Sequence, residues 1–210
     1  MNNSKTEKKI TPFIICLAIF LAFTLAVAFF DVKNIGYENS SVGFAILNCF
    51  IHAILSCSQF SFLVSEIIGY FALIIALIVA FVSVWNFYKS RSLLRMNKSY
   101  LCTCILYGTV VVCYILFEVI VINYRPIALE ASYPSSHTML ALCIFYSAIE
   151  LFKDSKYKVL SKIVFGALMA LMVILRLASG VHWFTDIVGA ILLSITLISG
   201  YKVLLSYLSD

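Results

Sequence analysis

Long, uninterrupted apolar runs constrain this chain more than any other feature of its sequence. Hydrophobic residues make up 63% of the 210 positions and charged residues only 12%, which excludes an ordinary soluble domain. A helix needs about 20 apolar residues to cross about 30 Å of hydrocarbon. We therefore predict an all-α integral membrane bundle of six transmembrane helices, with residues 1–210 forming a single membrane domain. The predicted spans cover residues 11–30, 62–85, 101–122, 135–152, 159–178 and 183–205.

The first predicted span follows a short polar segment with three lysines, as the apolar core of a secretory signal peptide would. Its 20-residue apolar run is long enough to span, and the sequence has no convincing small-x-small cleavage site there. We interpret the segment as a retained first helix. Its removal is the less favoured alternative.

Residues 32–61 form the longest connection, and residues 43–56 within it are too short and too polar to span. One helical face of this segment is apolar, and the opposite face is polar. The polar residues are Asn48, His52 and Ser56. We predict an interfacial helix in the headgroup layer of the first outer loop, and we interpret His52 as an interfacial rather than a catalytic histidine. Two cysteines of this loop are predicted either to pair or to remain free thiols: Cys49 and Cys57.

The basic residues are distributed asymmetrically, and this predicts the orientation in the membrane. With the N-terminus inside, twelve of the fifteen lysines and arginines lie on the cytoplasmic side. They are Lys5, Lys8, Lys9, Lys89, Arg91, Arg95, Lys98, Lys153, Lys156, Lys158, Lys162 and Lys202. A basic run such as residues 88–99 could bind nucleic acid, but beside a span it is typical of a cytoplasmic loop that contacts anionic lipid. We therefore predict a multi-pass cell-membrane protein with both termini cytoplasmic and no nucleic-acid partner.

Three polar clusters interrupt the apolar sequence. They are Arg125-Pro126, Pro134-Ser135-Ser136-His137, and Arg176 with His182 and Asp186. Such groups are costly near lipid and mark a site by default, and the predicted orientation places all of them outside. His182 and Asp186 are four residues apart, so the carboxylate can reach one imidazole nitrogen and leave the other free as a nucleophile or base. The arginines and the Ser-Ser helix start supply donors for a tetrahedral oxyanion, so the clusters predict a phosphate site.

The motifs Arg-Pro, Pro-Ser-x-His and Arg-x5-His-x3-Asp resemble those of the type-2 phosphatidic acid phosphatase and haloperoxidase superfamily. The resemblance extends from about Leu101 to the C-terminus, and the first two spans fit its bacterial membrane lipid-phosphatase branch. It implies that His182 is the nucleophile, that Asp186 orients it and that His137 is the general acid. It also implies a set of phosphate-binding residues: Arg125, Arg176, Ser135 and Ser136. A vanadate haloperoxidase shares the motifs but is poorly matched to six spans.

Three positions depart from the family pattern. They are Glu118, where the family has lysine, Ser136, where it has glycine, and Leu175, where it usually has serine. Glu118 is the serious departure, because a carboxylate in place of a cation removes one phosphate contact and adds repulsion. Glu118 precedes Arg125 by seven residues, so the two share nearly one face if the helix continues. Neighbouring tyrosine or asparagine side chains could instead satisfy Glu118.

The resemblance implies a metal-independent phosphatase that acts on a lipid phosphomonoester or diphosphate at the outer leaflet. Candidate substrates are undecaprenyl diphosphate, phosphatidylglycerophosphate and phosphatidic acid, and phosphoryl transfer to another lipid is a close variant. The alternative is a non-catalytic protein that binds or transports lipid phosphates, and the presence of Glu118 favours this alternative. A third interpretation, in which the buried polar residues only tie helices together, is weakened because they all fall on one membrane side. No cofactor is predicted, and the expected partners are the lipid phosphate substrate and membrane lipids.

Overall fold

The computed structural model describes residues 3–55, 58–92 and 96–209. Within these ranges the chain forms seven α-helices and two short antiparallel hairpins. The helices are α1 (Asn3–Phe29), α2 (Ala45–Ile54), α3 (Gln59–Ser90), α4 (Lys98–Val119), α5 (Ser136–Leu151), α6 (Lys158–Ala178) and α7 (Phe184–Ser209). The hairpins pair β1 (Lys33–Asn34) with β2 (Ser41–Val42), and β3 (Tyr124–Arg125) with β4 (Ala128–Ala131).

Five helices in the described part of the chain are long and apolar enough to cross a membrane: α1, α3, α4, α6 and α7. They correspond to five of the six predicted spans. α5 corresponds to the remaining span and has only 16 residues, about 24 Å at 1.5 Å per residue, so the six-span count is not confirmed. α3 extends beyond the predicted 62–85 at both ends, and its 32 residues measure about 48 Å.

The outward surfaces of the long helices are apolar. Large aliphatic and aromatic side chains are exposed along them, including Ile14, Leu77, Phe81, Val112 and Ile163. A protein surrounded by water rarely exposes contiguous apolar patches of this kind, whereas lipid is a suitable solvent for them. The protein is therefore a multi-pass membrane protein, as its composition predicts.

α5 is the central helix of the bundle. It packs against α3, α4, α6 and α7, and two clusters of buried apolar side chains meet on it. One cluster includes Met139 and Cys143 together with residues of α4 and α7, and the other includes Ile144 and Phe145 together with residues of α3 and α6. A helix surrounded by apolar partners in this way is fixed on all sides, and so is the polar segment at its N-terminus.

The predicted interfacial helix over residues 43–56 is present as the shorter α2. Asn48 is fully buried, while Phe50 and Ile54 are exposed, so the polar face is directed into the protein and the apolar face outward. Its location in the headgroup layer remains a prediction. Cys57 lies outside the described residues, so the pairing of Cys49 with Cys57 also remains a prediction.

The two hairpins differ from the all-α prediction. Their strands have two to four residues, too few to show the alternation that identifies a strand in sequence. The β3–β4 hairpin connects α4 to α5 and lies at the end of the bundle where α4 and α6 end and α3, α5 and α7 begin. The polar clusters meet at this end.

Candidate functional site

Two glycines shape the backbone around the polar clusters. Gly180, just after α6, has a φ of 69°, in the left-handed region that glycine adopts without strain, and the chain turns there towards His182. At Gly189 of α7 a Cβ atom would collide with the ring of Tyr133, so only glycine allows this approach. The Tyr133 hydroxyl also forms a 2.8 Å hydrogen bond with Thr24 of α1. These contacts fix the segment before α5 against α1 and α7.

His182 is 2% exposed, and its two ring nitrogens have different surroundings. Nδ1 lies 3.1 Å from the carbonyl oxygen of Ser132 and 3.1 Å from its Oγ. A carbonyl oxygen only accepts, so Nδ1 carries the proton and donates. Nε2 is buried and has no hydrogen-bond partner among the described residues. The free lone pair of the ring is therefore on Nε2.

The four-residue spacing predicts a direct hydrogen bond between Asp186 and His182, but the two side chains do not form one. Its Oδ2 lies 3.9 Å from Nδ1, beyond hydrogen-bond distance. The prediction assumes a helix through both residues, but α7 begins only at Phe184. Oδ2 instead accepts from the Trp183 amide at 2.9 Å and from the Ser132 hydroxyl. Ser132 thus connects the carboxylate to the imidazole.

The second oxygen of Asp186 is held by Asn123. Asn123 donates from Nδ2 to Asp186 Oδ1 at 3.1 Å and accepts from the Gly43 amide at 3.0 Å. Asp186 and Asn123 are both fully buried, so the carboxylate has a fixed position. The loop before α2 therefore takes part in positioning it.

Burial lowers the pKa of His182 below its ordinary value. Asp186 opposes this shift, and Arg176 and Arg125 add to it, because an imidazolium near two guanidinium groups is repelled. His182 is consequently neutral at neutral pH. This is the form in which Nε2 has a lone pair for attack.

Arg176, near the end of α6, is 1% exposed. Its Nη1 donates to Glu66 Oε1 of α3 at 2.6 Å and to Ser65 Oγ at 3.3 Å. Its Nη2 donates to His137 Nδ1 at 3.2 Å. The Nε atom is buried and has no partner in the described part of the chain. Arg176 therefore has its Nε–H available for a ligand, together with the second N–H of Nη2.

His137, the second residue of α5, contacts the same carboxylate as Arg176. Its Nε2 lies 3.4 Å from Glu66 Oε2. Glu66 thus uses one oxygen for Arg176 and the other for His137. The sequence places Glu66 near the outer end of the second span, and a carboxylate within a span is a signal of function, but its partners are not predictable from spacing.

Arg125 is on β3. Its carboxylate partner is Glu130 rather than Glu118, which the sequence places seven residues before it. Its Nη1 lies 3.0 Å from Glu130 Oε2 of β4, while its Nε is buried without a partner among the described residues. Glu118 is exposed and lines a narrow pocket with Tyr133 and Ser136. α4 ends at Val119, so the helix that would place Glu118 and Arg125 on one face does not continue.

The two serines at the start of α5 make structural contacts. Ser135 Oγ lies 3.1 Å from Thr138 Oγ1, and the Ser135 amide donates to the carbonyl oxygen of Asp186 at 3.1 Å. Ser136 is half-buried in the pocket beside Glu118. Neither serine forms a hydrogen bond with an arginine of the site in the part of the chain that the structure describes.

The polar residues at this end of the bundle form one site. Both arginines influence His182 and His137 electrostatically, so the four side chains lie within interaction distance. Three of their buried nitrogens have no partner among the described residues: Arg125 Nε, Arg176 Nε and His182 Nε2. The sequence selected these residues, whereas Ser132 and Asn123 carry no signal that distinguishes them from ordinary loop residues. No group of three or more metal-binding side chains occurs within the described ranges.

The fold and the site define a helical membrane protein with histidines and arginines clustered at one end of the bundle. The PAP2 superfamily model matches residues 118–209, so the resemblance seen in the motifs is confirmed. The crystal structure of a transmembrane PAP2-type phosphatidylglycerolphosphate phosphatase from Bacillus subtilis is similar, with a TM-score of 0.64 and 18% sequence identity. The similarity covers 90% of this chain and 94% of that chain, and at this identity it shows a common fold. No curated protein matches the chain.

Proposed function

We propose that the protein is a membrane lipid phosphate phosphatase that works through a phosphohistidine on His182. One observation carries the proposal: the three buried nitrogens without a partner among the described residues are two guanidinium donors and one nucleophilic imidazole nitrogen. A buried polar atom without a partner costs about 1–3 kcal/mol, which a bound ligand can offset. An oxyanion with an electrophilic centre, such as a phosphate ester, matches both kinds of atom.

In the proposed reaction, Nε2 of His182 attacks phosphorus in line with the bond to the leaving oxygen. The phosphorus–oxygen bond breaks as the nitrogen–phosphorus bond forms, and His137 protonates the leaving oxygen. Arg125 and Arg176 hold the other oxygens of the phosphoryl group. Ser132 and Asp186 stabilise the ring of His182 as it becomes positively charged.

The second step is hydrolysis of the phosphohistidine. Water attacks phosphorus and transfers a proton to His137, the nitrogen–phosphorus bond breaks, and inorganic phosphate leaves. This sequence needs no metal, since the arginines neutralise the charge. Together, the two steps return His137 and His182 to the states that they had before the attack.

We infer the lipid class from the matched family and the membrane location. The matched family and the similar phosphatidylglycerolphosphate phosphatase support phosphatidylglycerophosphate, with phosphatidic acid and undecaprenyl diphosphate as the other candidates. The excess of basic residues in the predicted cytoplasmic loops supports an outward-facing site. We include in the proposal six spans in one membrane domain and an α2 that lies in the headgroup layer.

The test is phosphate release by the purified protein from these three lipids, with EDTA present. We expect release from at least one lipid and none from the His182→Ala variant. Retained activity in that variant would refute the assignment of His182 as the nucleophile. Binding of the lipids without release would favour the non-catalytic alternative, and complete loss of activity in EDTA would refute metal independence.

A further inference from the structure

We propose that Glu66 is the positioning residue for His137, fixing its Nε2–H so that Nδ1 is the nitrogen that transfers the proton. The inference rests on the proposed function, because it concerns the general acid of that reaction. It also brings α3, which lies outside the matched residues 118–209, into the mechanism.

The tautomer of His137 follows from its two partners. Arg176 Nη2, 3.2 Å away, can only donate, so Nδ1 accepts and carries no proton. The ring proton of neutral His137 is then on Nε2, which lies 3.4 Å from Glu66 Oε2. Arg176 therefore selects the tautomer in the resting state, Glu66 holds the resulting Nε2–H, and Nδ1 is directed towards the arginine that is proposed to bind phosphate.

Glu66 can remain in place when a phosphate binds. Its other oxygen takes only Nη1 of Arg176, and Arg176 Nε is left without a partner in the described part of the chain. A phosphate can contact Nε and draw Nη2 away from His137 without displacing the carboxylate. Glu66 is thus a support for the guanidinium rather than a competitor for it.

The charge of Glu66 supports the acid form of His137. To protonate a leaving oxygen, His137 must carry protons on both nitrogens. Once Arg176 Nη2 turns to the phosphate, Nδ1 is free to take up this second proton from solvent water. The charged groups that act on His137 are Glu66 from α3, Arg176 from α6, Arg125 from β3 and His182 from the turn before α7. Among these four, only Glu66 favours the imidazolium. The Nδ1 proton passes to the leaving oxygen and is replaced from the attacking water, while Nε2–H stays on Glu66.

The experiment compares Glu66→Gln with wild type on two substrates that differ in leaving group. A short-chain phosphatidic acid releases an alkoxide and needs protonation, whereas farnesyl diphosphate releases a phosphate ester and needs little. We expect the burst rate on phosphatidic acid to fall about ten- to hundredfold and that on farnesyl diphosphate less than about threefold. The alkaline limb of the pH–rate profile, where the rate on phosphatidic acid falls as the pH rises, should also move to lower pH in Glu66→Gln. The reason is that the imidazolium of His137 loses its counter-charge.

Glu130→Gln is the matched control, since Glu130 pairs with Arg125 and contacts no histidine in the described ranges. We expect this variant to change the rates on both substrates by the same factor and to leave the alkaline limb of the pH–rate profile in place. If Glu66→Gln does not assemble, Glu66→Asp should show the same selective loss to a smaller degree.

An equal loss on both substrates with an unmoved alkaline limb would overturn the inference, and so would a gain of activity in Glu66→Gln. Both results leave the proposed function intact, provided that wild type is active and His182→Ala is not. A wild-type protein that releases phosphate from neither substrate would instead overturn the proposed function.

Discussion

At the scale of single residues, Ser132 joins the two groups on which the proposed nucleophile depends. It is 1% exposed, donates its hydroxyl proton to Asp186 Oδ2 and accepts from His182 Nδ1. Its backbone carbonyl accepts from the same nitrogen. The ring of His182 is therefore held by two atoms of one residue, only one of which belongs to the side chain.

Replacement of Ser132 by alanine should separate these two contributions. Ser132→Ala removes the link to Asp186 but keeps the carbonyl, so we expect kcat to fall by about ten- to hundredfold with little change in KM. Steady-state phosphate release would show this. A loss as complete as that of His182→Ala would contradict the expectation, since it would mean that the carbonyl does not hold the ring.

The buried imidazole of His182 should make the fold sensitive to acid. Its pKa is lowered in the folded protein, whereas in the unfolded chain it is about 6.5. Below about pH 6.5 the unfolded state therefore binds more protons, so the stability contribution present at neutral pH is lost as the pH falls. We expect the melting temperature in detergent to fall between pH 7.5 and 5.5, and to fall less in His182→Gln. An equal decrease in both proteins would assign the effect to other groups.

Glu130 and Glu118 should have different effects on anion binding. Glu130 pairs with Arg125 at 3.0 Å, while Glu118 is exposed on α4. We expect Glu130→Gln to tighten vanadate inhibition up to about fivefold, the range of a partly exposed ion pair, and Glu118→Lys to change it by less than about twofold. Inhibition constants measured at one ionic strength would check this. A larger effect of Glu118→Lys would place that residue in the site.

At the scale of elements, the β3–β4 hairpin and the loop before α2 meet at Asn123. This side chain bonds both Gly43 and Asp186, so it ties the hairpin to the loop before α2 and to the start of α7. Asn48 adds a second tie from α2, since it accepts from the Thr185 amide at 3.1 Å. The start of α7 is thus fixed by two asparagines from different elements.

Loss of the Asn123 contacts should affect stability and activity together. Asn123→Ala leaves buried groups unsatisfied, at about 1–3 kcal/mol, and frees one oxygen of Asp186. Asn123→Asp has nearly the same shape but places a second carboxylate against Asp186, so we expect a larger loss of both melting temperature and kcat. If the two variants behave alike, charge at this position is unimportant.

The sequence was informative about elements whose signal is local. The apolar runs of α1, α3, α4, α6 and α7 predict helices because contiguous residues alone set their hydropathy. The hairpins and the partners of Arg125 and Arg176 depend on packing between distant segments, and spacing cannot reveal them. His182 and Asp186 approach only to 3.9 Å rather than forming the expected hydrogen bond for a related reason, since the four-residue rule holds only inside a helix and His182 precedes α7.

At the scale of the whole molecule, all elements of the site lie at one end of the bundle, so the orientation decides which leaflet they face. Reporters after Ser92, after Asp154 and at the C-terminus should all be cytoplasmic, because the basic residues flank these positions. Reporters near Asn39 and Glu130 should be outside. A cytoplasmic signal at either of these would reverse the orientation and refute an outer-leaflet site.

Each arginine of the site is matched by a carboxylate of the same chain, Glu130 for Arg125 and Glu66 for Arg176. The pairing leaves no excess of positive charge to attract small anions from bulk water, whereas the unpartnered Nε donors act on a phosphoryl group once it has entered the site. A lipid phosphate arrives tethered to the bilayer at a high effective concentration, which compensates for weak capture. The inorganic phosphate released has no tether and leaves easily, so turnover proceeds with little product inhibition even where phosphate is abundant.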